Sequence, residues 1–198
     1  MTTTTADRTL KAADLFSLEH YAQTRPAFRA RVLEHKKLRN ISVGPHTTWC
    51  FEDRLTVQYQ IQEMLRTERI FEPDGIADEL ESYNPLIPDG TNLKATLLIE
   101  YTDADERHRA LVLLKGLERR CWLSVGGDKV FAIADEDLQR ENDTKTSAVH
   151  FLRFELSVQA CAALKRGALV ELGVDHDAYR YQVTTSAATS RALAADLA

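Results

Sequence analysis

Cysteine is scarce in this chain of 198 residues: there are three, Cys50, Cys121 and Cys161, far apart and odd in number. No Cys-x-x-Cys pair occurs, which argues against an iron–sulfur cluster or structural zinc site built on local cysteine pairs. Each cysteine reads as a small buried hydrophobe rather than a redox centre. Long apolar runs are missing too, with nothing near the roughly 20 residues that span a membrane. The polar start Met-Thr-Thr-Thr-Thr-Ala-Asp-Arg is no secretory signal, so the expected location is the cytoplasm. Positive charge is in deficit, and a net charge of -5 gives no support for nucleic-acid binding. A Gly-rich phosphate loop, a P-loop, a serine nucleophile elbow and a His-Glu-x-x-His motif are all absent. The nucleotide, hydrolase and zinc-protease readings therefore have no support.

What is present is an ordinary globular composition, 44% hydrophobic and 28% charged, at about the length of one domain. Residues 1–9 read as a disordered polar tail. Residues 10–198 read as a single α+β domain, helical over about 10–90 and sheet-rich over about 91–198. Periodicity predicts helices near 12–22, 26–39, 54–72, 76–82, 103–115, 157–166 and 187–197. It predicts a hairpin over 40–51 and strands near 94–101, 120–125, 129–134, 146–156 and 168–174, with a charged connection over about 135–145. The expected class is α+β, with a mostly antiparallel or mixed sheet of about five strands, an N-terminal helical block and a C-terminal helix.

The stretch 146–156 reads as the central strand. One face carries Ala148, His150, Leu152, Phe154 and Leu156, and the other carries Val149, Phe151, Arg153 and Glu155. Large apolar residues on both faces predict cover on both sides. His150, Arg153 and Glu155 then either satisfy one another and their neighbours inside the protein or belong to a pocket. The charged face could equally be a homodimer contact.

Two further places carry chemistry. On the helix over 54–72, Tyr59, Gln62, Arg66 and Arg69 fall at helical spacing on a segment that contains no lysine. Such a ridge suits bidentate binding of a carboxylate or phosphate on a small anionic ligand; the alternative is a solvent face with i,i+3 pairs. At the end of the strand over 168–174, Asp175-His176-Asp177 places an imidazole between carboxylates. If that strand pairs with 147–156, His150 and His176 with Asp175 or Glu155 could hold iron, zinc or manganese. An exposed turn explains the same three residues.

The segments Val57–Glu72, Tyr83–Gly90, Asn92–Thr96, Thr146–Leu156 and Gly173–His176 resemble those of a bacterial family of uncharacterised proteins, over about 15–197. The family is known only as a domain of unknown function. Its genes often lie beside those for rubrerythrin and for an iron–sulfur oxidoreductase related to an anaerobic glycerol-3-phosphate dehydrogenase subunit. The resemblance transfers no catalytic residue. It implies a context of redox or peroxide handling, with rubrerythrin or the iron–sulfur protein as partner. Two functions follow: an accessory component that binds a partner or anionic ligand, or a metal-dependent enzyme using His150 and His176.

Overall fold

A computed structural model describes residues 8–134 and 145–198. Residues 1–7 of the expected tail, and nearly all of the expected charged connection, lie outside the described residues. Arg8, assigned to the tail, is half-buried and donates a hydrogen bond to the backbone carbonyl of Asp196.

The N-terminal block begins with a strap over residues 8–16, which leads directly into α1 (Leu18–Lys36). Ser17 caps this helix by accepting the His20 N–H at 3.2 Å. Sequence spacing suggested two helices interrupted near Pro26, but one helix runs through it. Proline removes one donor from the helix interior, and the carbonyl it orphans belongs to the exposed Ala22, where water can satisfy it. The hairpin of β1 (Asn40–Ser42) and β2 (Thr47–Phe51) leads into α2 (Arg54–Glu68), capped by Asp53. Then come α3 (Pro73–Tyr83), β3 (Asn92–Ile99) and α4 (Ala104–Leu113). Helix α2 stops at Arg69, which takes the left-handed conformation at φ 57° while the Ile70 N–H reaches back to the Leu65 carbonyl at 2.9 Å.

The second half contains β4 (Cys121–Val125), β5 (Asp128–Phe131), β6 (Ile133–Ala134), β7 (Val149–Glu155), α5 (Val158–Lys165), β8 (Val170–His176), β9 (Tyr179–Thr184) and α6 (Ala187–Ala194). All strand pairs are antiparallel. The class is α+β, as expected. The strands, however, form two sheets: a five-stranded one in the order β1-β2-β3-β7-β6 and a four-stranded one in the order β5-β4-β8-β9. The split falls at Ala132, where the expected single strand over 129–134 leaves one sheet and joins the other.

One core joins the two sheets. Trp49, Phe51, Leu93, Leu97 and Phe154 meet Leu123, Val125, Leu172 and Val174, closed by Leu111 and Leu114 from the α4 region, Leu164 of α5 and Leu193 of α6. Two smaller cores hold the helical block: Leu10 against Val57, Ile61, Leu65 and Ile87, and Tyr21, Phe28 and Val32 with Phe16, Leu55 and Tyr59 around them. Among the described residues no helix is long and apolar enough to cross a membrane.

Candidate functional site

Alternation along β2, β3 and β7 sends Trp49, Leu97, His150 and Phe154 into the core. It leaves Cys50, Lys94, Thr96, Leu98, Val149, Phe151 and Arg153 half-buried on the outer face of the five-stranded sheet. The register places Cys50, Thr96 and Phe151 in one cross-strand row, and Lys94 directly opposite Arg153. Next to this row lies Glu52, only 2% exposed. Its carboxylate accepts from the Thr56 hydroxyl at 2.6 Å, the Thr96 hydroxyl at 2.8 Å and the Gln60 amide at 3.2 Å. These bonds replace the water that a buried carboxylate loses. Burial, with Glu52 adding to it, pushes the Cys50 thiol up to about 11, so the thiolate is scarce at neutral pH.

The two cations of this face are held in place. Lys94 donates to the Pro85 carbonyl at 2.6 Å, which ties the stiff loop after α3 to the sheet. Arg153 pairs with Glu155 two residues along the same strand, and Glu155 also accepts from the Asn92 amide at 3.1 Å. The outer face therefore presents a lysine and an arginine side by side, flanked by Leu98, Val149 and Phe151.

His150 lies on the other face, with no exposed surface, among Glu118 and Thr146, which are 2% and 1% exposed. The Thr146 hydroxyl lies 3.3 Å from a Glu118 carboxylate oxygen and 2.9 Å from His150 Nε2. Nε2 also lies 3.0 Å from the Ser147 carbonyl, which fits a protonated Nε2 as donor. Glu118 escapes sequence reading because it comes from a separate segment that only tertiary packing brings to His150, whereas Thr146 lies four residues before His150 in the same stretch.

His176 stands apart from this cluster. The metal reading required β7 and β8 to pair, but β7 pairs with β3 and β6, and β8 with β4 and β9. Helix α5 carries the chain from one sheet to the other, so sequence proximity does not become strand adjacency. His176 Nδ1 accepts the Ala178 N–H at 3.2 Å, and Nε2 faces the Lys115 carbonyl at 3.2 Å. Asp175 is bonded to Lys129 at 2.8 Å, which holds its carboxyl below the ordinary value. Lys129 in turn stacks 4.0 Å over the Trp122 ring. Among the described residues no group of three or more His, Cys, Asp or Glu side chains could hold a metal ion.

The expected ridge on α2 divides. Tyr59 faces Phe28 with ring centroids 6.0 Å apart. Gln62 is fully buried and clamps the backbone of Phe16, its Oε1 accepting the Phe16 N–H at 2.5 Å. Arg66 and Arg69 remain exposed. Beside them, Glu63 takes a two-pronged bond from Arg25, both contacts at 2.7 Å, and a 2.5 Å bond from the Tyr21 hydroxyl. The Arg25 bonds hold the Glu63 carboxyl down to about 2.

Comparison with known proteins agrees with this architecture and adds no activity. A family model described as "Protein of unknown function (DUF3501)" matches residues 9–197. No curated protein matches the chain. A crystal structure of a novel protein of unknown function from Burkholderia pseudomallei K96243 is similar at 49% identity, with a TM-score of 0.91 over 96% of this chain and 100% of that one.

Proposed function

We propose that this chain, which belongs to the DUF3501 family of proteins of unknown function, is a non-catalytic accessory protein that docks an acidic partner on the outer face of its five-stranded sheet. The observation that carries the reading is the cross-strand pair Lys94 and Arg153 on a half-exposed face that also offers Leu98, Val149 and Phe151. Apolar neighbours supply contact area, and a guanidinium suits a carboxylate or phosphate. A sheet face fits a protein surface better than a small molecule, which binds in a concave site.

The partner we assign is a component of a rubrerythrin-linked redox or peroxide-response system: rubrerythrin or the iron–sulfur oxidoreductase. Support for that assignment is the gene context that accompanies the family resemblance. The test is calorimetric titration of each purified partner into the wild-type chain, the Lys94→Ala/Arg153→Ala variant and the Arg66→Ala/Arg69→Ala variant. Binding lost only in the first variant supports the sheet face. Binding lost only in the second moves the contact to the exposed arginines of α2. No binding of either partner to the wild type contradicts the assignment.

A further inference from the structure

The strap over residues 8–16 is held along its backbone by side-chain amides. The Asn84 side chain accepts the Leu10 N–H at 2.8 Å and donates to the Leu10 carbonyl at 3.0 Å. Gln62 makes the same reciprocal contact with Phe16, at 2.5 Å and 3.4 Å. Between them Gln58 donates to the Asp14 carbonyl at 2.7 Å, and Arg54 pairs with the Asp14 carboxylate at 2.7 Å. Each of the two amides does what a neighbouring strand would do: it satisfies both backbone groups of one residue. The two amides read the main chain of Leu10 and Phe16, on either side of a 3-10 turn over Ala12–Asp14, and are blind to the side chains there. Sequence is read at two points: Leu10, 2% exposed, sits among Val57, Ile61, Leu65 and Ile87, and the Asp14 carboxylate meets Arg54. Lys11, Ala12 and Ala13 are exposed and add little burial.

We propose that α2 and the turn after α3 form a binding groove for a short peptide with a single 3-10 turn, occupied in cis by the chain's own strap over residues 8–16. The ligand class is an unstructured segment with a leucine in the single apolar pocket and an acidic residue four positions on, facing Arg54. Phe16 is anchored in the aromatic core beside Tyr21 and Phe28, so it acts as the hinge, and residues 8–14 are the exchangeable part. One buried side chain, the Arg54–Asp14 ion pair and a few hydrogen bonds, including that of Arg8 to the Asp196 carbonyl, hold that part, so it opens more readily than the core strands. A peptide of matching pattern gains the groove only when the strap leaves, so cis occupancy lowers the apparent affinity by the fraction of time the groove is open. This proposal does not depend on the partner assigned to the sheet face.

The test uses a fluorescent peptide of residues 8–14 and the full-length chain. Leu10→Asp weakens the strap without touching the groove. The labelled peptide should bind this variant saturably and at least tenfold more tightly than the wild type, and adding Asn84→Ala should abolish the binding. Equal binding to both chains, or none to a Leu10→Asp chain with native circular dichroism, overturns the proposal. If Leu10→Asp does not fold, native-state hydrogen exchange of the unaltered chain decides. The amides of Leu10 and Asp14 should exchange by local opening, faster than those of β3. Exchange only through global unfolding overturns the proposal.

Discussion

Replacing Arg39 by methionine tests the energetics of the junction between α1, α2 and the C-terminus. Arg39 is 2% exposed and donates two bonds to Asp196, at 2.7 and 2.8 Å, and one to the Ala192 carbonyl at 3.1 Å. It also lies 3.1 Å from Asp53, which in turn lies 2.5 Å from His35. Asp196 is 6% exposed, and burial outweighs Arg39 to raise its carboxyl above the ordinary value. Removing the guanidinium strands a buried carboxylate, a loss of about 3–5 kcal/mol. With a urea dependence of about 2 kcal/mol per molar, the unfolding midpoint falls by about 2 M. The deficit should shrink as pH falls, because the stranded carboxyl then takes up a proton. The double variant Arg39→Met/Asp196→Leu should recover most of the loss, since an apolar pair replaces a desolvated ionic one. A single variant that loses less than about 1 kcal/mol, or a double variant that loses at least as much as the single, would refute the reasoning.

Three further outcomes are expected. Glu63 has its carboxyl depressed to about 2 by Arg25, so its contribution is present above the unfolded value near 4.5 and is lost as pH falls from there toward 2. Both side chains are about a third exposed (32% and 27%), so the slope in acid unfolding should integrate to only about 1 kcal/mol and should vanish in Glu63→Gln. Arg69→Gly should stabilise the chain by about 1 kcal/mol, read as a raised urea midpoint, because glycine takes the left-handed φ of 57° without the Cβ penalty. In Gly173→Ala the added Cβ would lie 2.3 Å from Trp122 Cζ2, so the indole must move. That variant should lose about 1–3 kcal/mol and shift the near-ultraviolet circular dichroism, and an unchanged spectrum would count against the packing described.

Strand alternation made β3 and β7 legible, because both bury one face in the core and leave the other half-buried. β9 was not legible: Arg180, Tyr181 and Gln182 are all exposed, so this edge strand carries no alternating signal. The passage from β5 to β6 was hidden as well, since the change of sheet occurs at a single alanine with no turn residue. At the candidate site, the charged residues of β7 were visible from the sequence: Arg153 bonds Glu155 on the outer face, and His150 bonds inside the core. Their neighbours were not visible. Glu52 and Thr96 meet only through the β2–β3 register, and Glu118 reaches His150 from a 3-10 turn more than thirty positions away in the sequence. On α2, spacing put Tyr59 and Gln62 on the same ridge as Arg66 and Arg69 but could not show that α1 and the strap cover the first two.

The most direct test of partner docking is the salt dependence of binding by rubrerythrin and the iron–sulfur oxidoreductase, measured on the wild-type chain and on Lys94→Ala/Arg153→Ala. Losing two charge-assisted contacts of about 1.5–3 kcal/mol each should weaken binding at least about a hundredfold at low salt. The wild-type affinity should fall with added salt and that of the variant much less. Equal affinity and equal salt dependence for the two chains would contradict docking on the outer face of the five-stranded sheet.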